Sequence, residues 1–235
     1  MSSALPAEIA RFDALAARWW DPSGPMRPLH RMNAARVAWI AERIAEAFPG
    51  RASVRVLDVG CGAGLAAEAL AERGYEVLGI DAAAAPIAAA VAHAARTPEL
   101  RLAYRVAAPE DLAAEGERFP VVTALEVIEH AADPANFVAT LAALLEPGGL
   151  LVLSTLNRTA ASFAEAKLGA EYLLRWLPVG THDWRRFVTP AELGAMLRAA
   201  GLRVTDTTGL APGLRGGWRA GAGLRVNYLM AARAG

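Results

Sequence analysis

Cysteine is nearly absent from this sequence, which has Cys61 as its single thiol in 235 residues. One cysteine excludes an intramolecular disulfide framework and a zinc site built from several thiolates. We therefore expect a cytoplasmic protein. Lysine is equally scarce, since Lys167 is the only one. We interpret that scarcity as compositional bias of the source and not as a functional signal.

An excess of charge of either sign is missing as well, because 24 basic side chains balance 24 acidic ones. A protein that binds nucleic acid through its phosphates usually carries a basic excess, so the balance argues against nucleic acid as a partner. The first residues also lack the basic and apolar regions of a secretory signal. The longest uncharged run, Ala82–Ala95, is too short and too weakly apolar to span a bilayer. We expect a soluble protein whose contact with a membrane surface is left open.

Apolar runs of strand length alternate with longer helix-like segments through most of the chain, and apolar residues make up 54% of it. Repeated β-α units with continuous apolar strands predict an α/β fold whose parallel sheet is covered on both faces. The predicted strands are Val54–Val59, Glu76–Asp81, Leu100–Val106, Val121–Leu125 and Leu150–Ser154, with two more near Arg203–Thr207 and Leu224–Ala231.

Several helices have start signals in the sequence. Asp133 can cap a helix, and Pro134 suits its first position. Thr189 and Glu192 have the spacing of a capping box. Another helix is predicted from about Asn33 to Phe48, outside the β-α alternation.

A glycine-rich turn follows the first predicted strand and opens a helix. It contains Asp58 and the glycines Gly60, Gly62 and Gly64. Glycines let the backbone turn tightly and approach a ligand without Cβ contact. Asp81 ends the next strand, where a carboxylate can accept both hydroxyls of a ribose. The turn and the downstream acid together predict a nucleotide-type site.

The details of the turn bear on which nucleotide it holds. A dinucleotide turn has the pattern G-x-G-x-x-G, whereas here the third glycine comes one residue early and Leu65 follows it. Asp58 would repel phosphates but suits a ligand with an ammonium group. The pattern resembles the first motif of class I methyltransferases that use S-adenosylmethionine. A purely structural turn and a nicotinamide oxidoreductase are the alternatives.

A cluster of two carboxylates and a histidine follows the fourth predicted strand. On a helical turn, Glu126, Glu129 and His130 would share one face. These side chains could bind Mg²⁺ or Zn²⁺, and such an ion would lower the pKa of a coordinated phenol or catechol oxygen. The same spacing is met by an exposed first helical turn, where acids are favoured by the helix dipole.

Several segments far apart in the chain resemble one family, the ubiquinone biosynthesis O-methyltransferases, which methylate hydroxyls of polyprenylated phenols. The resemblance extends from about residue 10 to residue 230. The matching segments are Arg18–Asp21, Pro28–Arg31 with Asn33 and Arg36, Leu57–Gly64, Glu126–His130 with Asp133-Pro134, Glu146–Gly149, Ser154–Arg158, Gly169–Tyr172, Gly180–Asp183 and Val226–Tyr228.

The resemblance implies a class I methyltransferase fold, with a seven-stranded, mostly parallel sheet whose last strand is antiparallel. It also implies S-adenosylmethionine contacts from Arg36, Gly60, Asp81 and Leu125. Arg36 is chemically suitable, because a guanidinium can pair with the methionine carboxylate. The same resemblance favours Glu126, Glu129 and His130 as ligands of a metal ion.

The resemblance also organises the chain as one domain with two caps over the carboxyl edge of the sheet. Residues 1–50 form a helical cap, 51–155 the cofactor-binding core, 156–188 a cap insertion, and 189–235 the last helix and strands. The glycine-rich piece 209–223 is taken as a linker.

Two histidines and one apolar stretch are candidates for substrate chemistry. His130 and His182 are candidate proton acceptors, His182 because Asp183 could orient its ring; a surface hydrogen bond explains that pair equally well. Trp19 and Trp20 could line the ring or tail of the substrate, although aromatic pairs at helical positions are more often packing residues. The stretch Phe163–Trp176 could lie on anionic lipid at the inner face of the cytoplasmic membrane and admit a polyprenyl tail, although a core-facing helix would look similar. Other enzymes of ubiquinone biosynthesis are further candidate partners. The competing functions are another small-molecule methyltransferase, which would share every cofactor residue, a nicotinamide oxidoreductase and a non-enzymatic lipid-surface protein.

Overall fold

One eight-stranded sheet organises the computed structural model of this chain, which describes residues 5–51, 53–163, 184–213 and 217–235. The strand order is β3-β2-β1-β4-β5-β8-β6-β7. The strands are β1 Arg55–Val59, β2 Glu76–Asp81, β3 Leu102–Val106, β4 Phe119–Leu125, β5 Leu145–Leu156, β6 Leu202–Pro212, β7 Trp218–Ala222 and β8 Asn227–Ala234. The predicted α/β alternation is confirmed, because β1 to β5 pair in parallel.

The sheet has one strand more than the seven that were expected. β8 is antiparallel to β5 and β6, in agreement with the expectation for the last strand. The extra strand is β7, which pairs antiparallel with the end of β6. It occupies the glycine-rich piece that was taken as a linker, where Trp218 and Ala220 pack on the apolar cluster beneath the second helix. The strand β7 forms because this packing compensates for the weak strand propensity of its glycine.

The helices flank the sheet on both faces and end close to their sequence signals. They are α1 Pro6–Leu15, α2 Arg27–Ala47, α3 Leu65–Ala71, α4 Ala84–Ala94, α5 Pro109–Ala114, α6 Pro134–Ala143, α7 Ala160–Ser162 and α8 Pro190–Ala199, with 3₁₀ turns at Ala16–Arg18, Ile128–His130 and Trp184–Arg186. Asp133 caps α6 and Thr189 caps α8, as predicted. None of the helices in the described ranges is both long and apolar enough to cross a membrane.

Side chains alternate between the two faces of the sheet and form two apolar clusters. On one face, Leu57 of β1 and Val122 of β4 pack in the cluster under α6 and α8. On the other face, Val56 and Val121 pack in the cluster under α2 and α3. Each such fully buried side chain stabilises the fold by about 1.5–3 kcal/mol, and burial on both faces explains the unbroken apolar strands.

The topology creates a crevice at the carboxyl ends of β1 and β4. The chain runs outward from β1 to β2 and β3, then returns to β4 on the other side of β1. The connections that leave β1 and β4 therefore diverge to opposite faces, and ligands of open α/β sheets bind in the resulting gap. This switch point places the glycine turn beside the residues that follow β4.

The first helix is held over this edge by a cap that it supplies to another helix. Ala83 precedes α4 and has no side-chain oxygen to cap it. Asp13 of α1 takes over that role, because its Oδ1 accepts a hydrogen bond from Ala85 N at 3.0 Å. α1 and α4 are thus joined by a contact between segments 72 residues apart.

We expect Asp13→Ala to lower the free energy of unfolding by about 0.5–2 kcal/mol, the usual cost of losing a helix cap. The measurement is urea unfolding followed by circular dichroism. Glu99→Ala is the control, since Glu99 is an exposed acid beyond the end of α4. Equal stability of the two variants would contradict the capping role of Asp13.

Candidate functional site

A cavity of about 380 Å³ lies at the switch point, between the sheet edge and the helices α1 and α2. Pockets of this size commonly hold small molecules. Eight of the predicted site residues line it: Arg36, Asp58, Gly60, Asp81, Leu125, Glu126, Glu129 and His130. Gly62 and Gly64 do not line this cavity, and His182 lies outside the described residues.

The three glycines of the turn all have left-handed backbone conformations. Their φ angles are 67° at Gly60, 55° at Gly62 and 90° at Gly64. A Cβ atom at Gly60 would lie 2.5 Å from Val127 Cγ2, at the cavity wall. A Cβ at Gly62 would lie 2.1 Å from a ring carbon of Trp19, so the indole covers the turn there. Only Gly60 therefore offers its backbone to the cavity, while the other two glycines make room for neighbouring rings.

Asp58 places a buried carboxylate at the end of β1. Its Oδ1 accepts a hydrogen bond of 2.7 Å from Thr123 Oγ1 on β4, while Oδ2 has no hydrogen-bond partner in the described part of the chain. Burial raises the pKa of Asp58 to about 6, against the opposing effects of the Thr123 hydrogen bond and the Arg36 charge. An unpaired buried carboxylate oxygen beside a cavity fits a ligand that carries an ammonium group.

Asp81 joins the end of β2 to the glycine turn. Its Oδ2 accepts from Gly62 N at 2.9 Å, and its Oδ1 accepts from Ala83 N at 2.8 Å. Burial raises the pKa of this carboxyl as well. Each carboxylate oxygen has lone pairs beyond these bonds, so ribose hydroxyls could still donate to it.

Arg36 enters the cavity from α2 in a fixed orientation. Its Nε donates to Asn33 Oδ1 at 3.0 Å, and Asn33 Nδ2 donates to Leu65 O at 2.7 Å. Burial lowers the pKa of the guanidinium, while the charges of Glu126 and Asp58 raise it. The buried cation is therefore positioned between two acids and fits a carboxylate-bearing ligand.

Glu126 departs from the helical geometry that the sequence suggested. Its φ is 59°, a left-handed conformation, and only the three residues Ile128–His130 form a 3₁₀ turn. The prediction of a shared helical face for Glu126, Glu129 and His130 is therefore wrong. The cause is the abrupt turn at the end of β4, which a continuous helix could not make.

The side chain of Glu126 points to neighbouring strands. Its Oε1 accepts from Ser154 Oγ at 2.8 Å, and its Oε2 accepts from Asn227 Nδ2 at 3.4 Å. Burial and the nearby charge of Glu129 raise the pKa of Glu126 to about 7. The sequence motif pointed to Glu126, but its partners come from β5 and β8.

Glu129 and His130 also bond to residues other than each other. Glu129 Oε2 accepts from Thr155 Oγ1 at 2.9 Å, and His130 Nδ1 lies 2.9 Å from Glu8 Oε2 on α1. No group of three metal-ligating side chains comes together in the described residues. The three side chains are directed to different elements, Glu126 to β5 and β8, Glu129 to β5 and His130 to α1, so as they stand they do not form a shared metal site.

α1 contributes residues to the cavity that the motif analysis missed. Glu8 and Arg11 supply charge at its rim, and Phe12 supplies an aromatic ring 5.3 Å from the ring of His130. Nothing in the local pattern of α1 marks these residues as functional. Asn227, by contrast, lies in the segment Val226–Tyr228 that carried part of the family resemblance.

We expect Gly62→Ala to destabilise the protein more than Gly74→Ala does. Both positions have positive φ, so alanine costs about 1–2 kcal/mol in backbone strain at each. Only at Gly62 does the new methyl group also collide with Trp19, since nothing lies within 4 Å of a Cβ at Gly74. Urea unfolding measures both losses. Equal losses would contradict the packing of Trp19 on the turn.

Comparison with known proteins identifies the family. A family profile described as a methyltransferase domain matches residues 30–207. A ubiquinone biosynthesis O-methyltransferase of Azorhizobium caulinodans is 46% identical over 233 residues, which cover 96% of this chain and 92% of that protein. Another, of Cereibacter sphaeroides, is 49% identical over 212 residues, which cover 87% of this chain and 85% of that protein.

Solved structures share the fold at lower identity. The magnesium protoporphyrin IX methyltransferase of Synechocystis PCC 6803, with bound SAH, has a TM-score of 0.60 at 21% identity and covers 85% of this chain and 80% of its own. An S-adenosylmethionine-dependent methyltransferase of Clostridium acetobutylicum has a TM-score of 0.62 at 11% identity, with coverages of 85% and 90%. The predicted class I methyltransferase fold is confirmed. Together with the similarity to the two curated relatives, this shows that the chain belongs to the family of ubiquinone biosynthesis O-methyltransferases and is an S-adenosylmethionine-dependent methyltransferase.

Proposed function

We propose that this chain transfers the methyl group of S-adenosylmethionine to a phenol or catechol hydroxyl of a polyprenylated ubiquinone precursor. The observation that supports this best is the cavity at the switch point. It is lined by the buried cation Arg36 and the buried acids Asp58 and Glu129, and apolar residues of α1 cover it. The charged floor suits a zwitterionic cofactor, and the apolar residues of α1 suit an aromatic ring with a prenyl tail.

The ammonium and the carboxylate of the cofactor each have a partner in this proposal. Asp58 pairs with the methionine ammonium through its unpaired Oδ2, and Arg36 pairs with the methionine carboxylate. Asp81 accepts from the ribose hydroxyls, while Gly60 and Leu125 contribute backbone and apolar surface. Gly62 and Gly64 act indirectly, by shaping the turn that Asp81 holds.

The chemical step is a direct displacement. A phenolate oxygen attacks the methyl carbon, the new O–C bond forms as the S–C bond breaks, and S-adenosylhomocysteine leaves as the neutral thioether. The protein aligns the two reactants and excludes water from them. The turn after β1 aligns the cofactor, and α1, which covers the cavity, excludes water.

The phenolic proton needs an acceptor, and His130 is our candidate. Burial alone would lower the pKa of His130, but the hydrogen bond with Glu8 and the charge of Glu129 raise it above the usual value. Glu8 contacts Nδ1, so Nε2 is the nitrogen that remains to receive the proton. His182 is a second candidate, which lies outside the described residues.

Two finer parts of the proposal concern a metal and the membrane. A Mg²⁺ or Zn²⁺ ion on Glu126, Glu129 and His130 would acidify the phenol, but the present contacts of these side chains do not fit it, and no step is assigned to it. Peripheral contact of residues 156–188 with anionic lipid, and contact with other enzymes of the pathway, are predictions from the sequence and from the greasy substrate. Most of that segment lies outside the described residues.

We expect the purified protein to transfer labelled methyl groups from S-adenosylmethionine to a short-chain demethylated ubiquinol. Product is measured by chromatography, with NAD binding tested by calorimetry for the oxidoreductase alternative. Binding of vesicles or NAD without any methyl transfer would contradict the proposed function.

The role of the acidic cluster is tested in the same assay. Because the present contacts of Glu126, Glu129 and His130 do not fit a metal ion, we expect chelator to leave the rate of methyl transfer unchanged. A rate lowered about tenfold or more by chelator and by the Glu126→Ala/Glu129→Ala double variant would contradict this expectation, because an ion there would stabilise the phenolate. Glu72→Ala/Glu99→Ala removes two exposed acids and is the matched control. Full activity of the chelated enzyme, or of the double variant, would rule out the metal.

We expect the affinity for S-adenosylmethionine to rise as the pH increases from about 5 to 7. The pKa of Asp58 is about 6, and the cofactor ammonium favours the ionised form, so binding below this pH must release a proton. Calorimetry in two buffers of different ionisation enthalpy measures that release. Asp58→Asn should weaken binding about 10- to 100-fold at pH 7.5 and remove the proton release. Unchanged proton release in the variant would contradict the pairing.

A further inference from the structure

Trp19 has a polar atom that the packing of the protein does not explain. The residue is 5% exposed and lines the cavity, and its Nε1 is buried with no acceptor in the described part of the chain. Tryptophan can only donate through this atom, and buried donors in folded proteins are nearly always paired. A ligand in the cavity would supply the missing acceptor.

The ring contacts place this donor beside the glycine turn. The three atoms of Trp19 nearest to a Cβ at Gly62 are Cζ2, Cη2 and Cε2, at 2.1, 2.7 and 2.9 Å. Nε1 is bonded to Cε2, so it lies on the side of the ring that covers the turn. Gly62 N in turn donates to Asp81 Oδ2. The donor therefore lies near the hydrogen bond between Gly62 N and Asp81 Oδ2.

Two contacts hold the chain in place at Trp19 and Trp20. His30 Nε2 lies 2.8 Å from Trp19 O, and Trp20 Nε1 donates to Ala63 O at 3.0 Å. The Trp20 ring also stacks on His93, with 3.4 Å between centroids. These contacts fix the backbone at Trp19, while close packing against Gly62 holds its ring, so the donor is preorganised for a ligand in the cavity.

We propose that Trp19 Nε1 donates a hydrogen bond to an oxygen of bound S-adenosylmethionine, which makes Trp19 a further cofactor-binding residue. This inference rests on the proposed function. The cofactor is a better acceptor than the phenol because Trp19 covers the glycine turn, next to Asp81, whereas His130 lies beyond the intervening ring of Phe12. Two kinds of cofactor oxygen are available, a ribose hydroxyl and the methionine carboxylate.

The test is Trp19→Phe, which keeps an aromatic ring on the turn and removes the N–H. We expect S-adenosylhomocysteine to bind about five- to tenfold more weakly by calorimetry, in proportion to one lost buried hydrogen bond. Trp39→Phe is the matched control, because Trp39 is equally buried but belongs to α2, packs in the apolar cluster under that helix and does not line the cavity. Thermal unfolding without ligand checks that both variants are folded.

A second ligand distinguishes the two oxygens. Methylthioadenosine has the ribose but no methionine carboxylate, so a loss of affinity for both ligands indicates the ribose hydroxyl. A loss for S-adenosylhomocysteine alone indicates the carboxylate. Either result supports the proposal.

Unchanged affinity for both ligands in a folded Trp19→Phe protein would overturn it. So would unchanged affinity together with a raised KM for the phenol, since the donor would then serve the substrate. Should the Phe variant not fold, Trp19→His, which restores a ring N–H, replaces it and must retain more affinity than Trp19→Leu. Failure of the wild-type protein to bind S-adenosylhomocysteine at all would instead defeat the proposed function.

Discussion

The parallel pairing of β1 with β4 brings together residues 65 positions apart, and the site depends on it. In that register Asp58 lies beside Thr123, whose hydroxyl donates to the carboxylate. The same pairing sets the glycine turn after β1 against Glu126 and Val127 after β4. A slip of one residue would turn Asp58 to the opposite face of the sheet, and the apolar clusters on both faces prevent this.

Burial of charge is the second constraint, and it follows from the first. Arg36, Asp58 and Glu129 are buried in one small volume, with the half-buried Glu126 beside them, so the acids outnumber the base. Desolvation raises the pKa of Asp58, Glu126 and Glu129, which means that the folded protein gives up stability at neutral pH to keep them there. In the proposed function, the ammonium group of S-adenosylmethionine would offset part of this cost.

The N-terminal segment completes the cavity by contacts with distant parts of the chain. Asp13 caps α4, Glu8 contacts His130, and Trp19 covers Gly62. Each contact joins α1 or the turn after it to an element of the core. Helix α1 and the turn after it are thus attached to the loops that follow β1, β2 and β4.

Local rules determined much of what the sequence alone predicts. The caps at Asp133 and Thr189 and the left-handed glycines of the turn depend on residues within four positions, so their signals are complete in a short stretch of chain. The family resemblance added Arg36 and Leu125, which do line the cavity. The roles of Arg36, Leu125 and the glycines in cofactor binding stay predictions.

Contacts between distant segments decided the rest. β7 forms because Trp218 packs beneath α2, and Glu126 adopts a positive φ because the chain must turn sharply after β4 toward Ser154 and Asn227. The sequence thus determined the strands other than β7, the glycine turn and the chemistry of the acids. Only the tertiary structure decided which groups each acid meets and how α1 closes the cavity, because those contacts join residues that no local pattern relates.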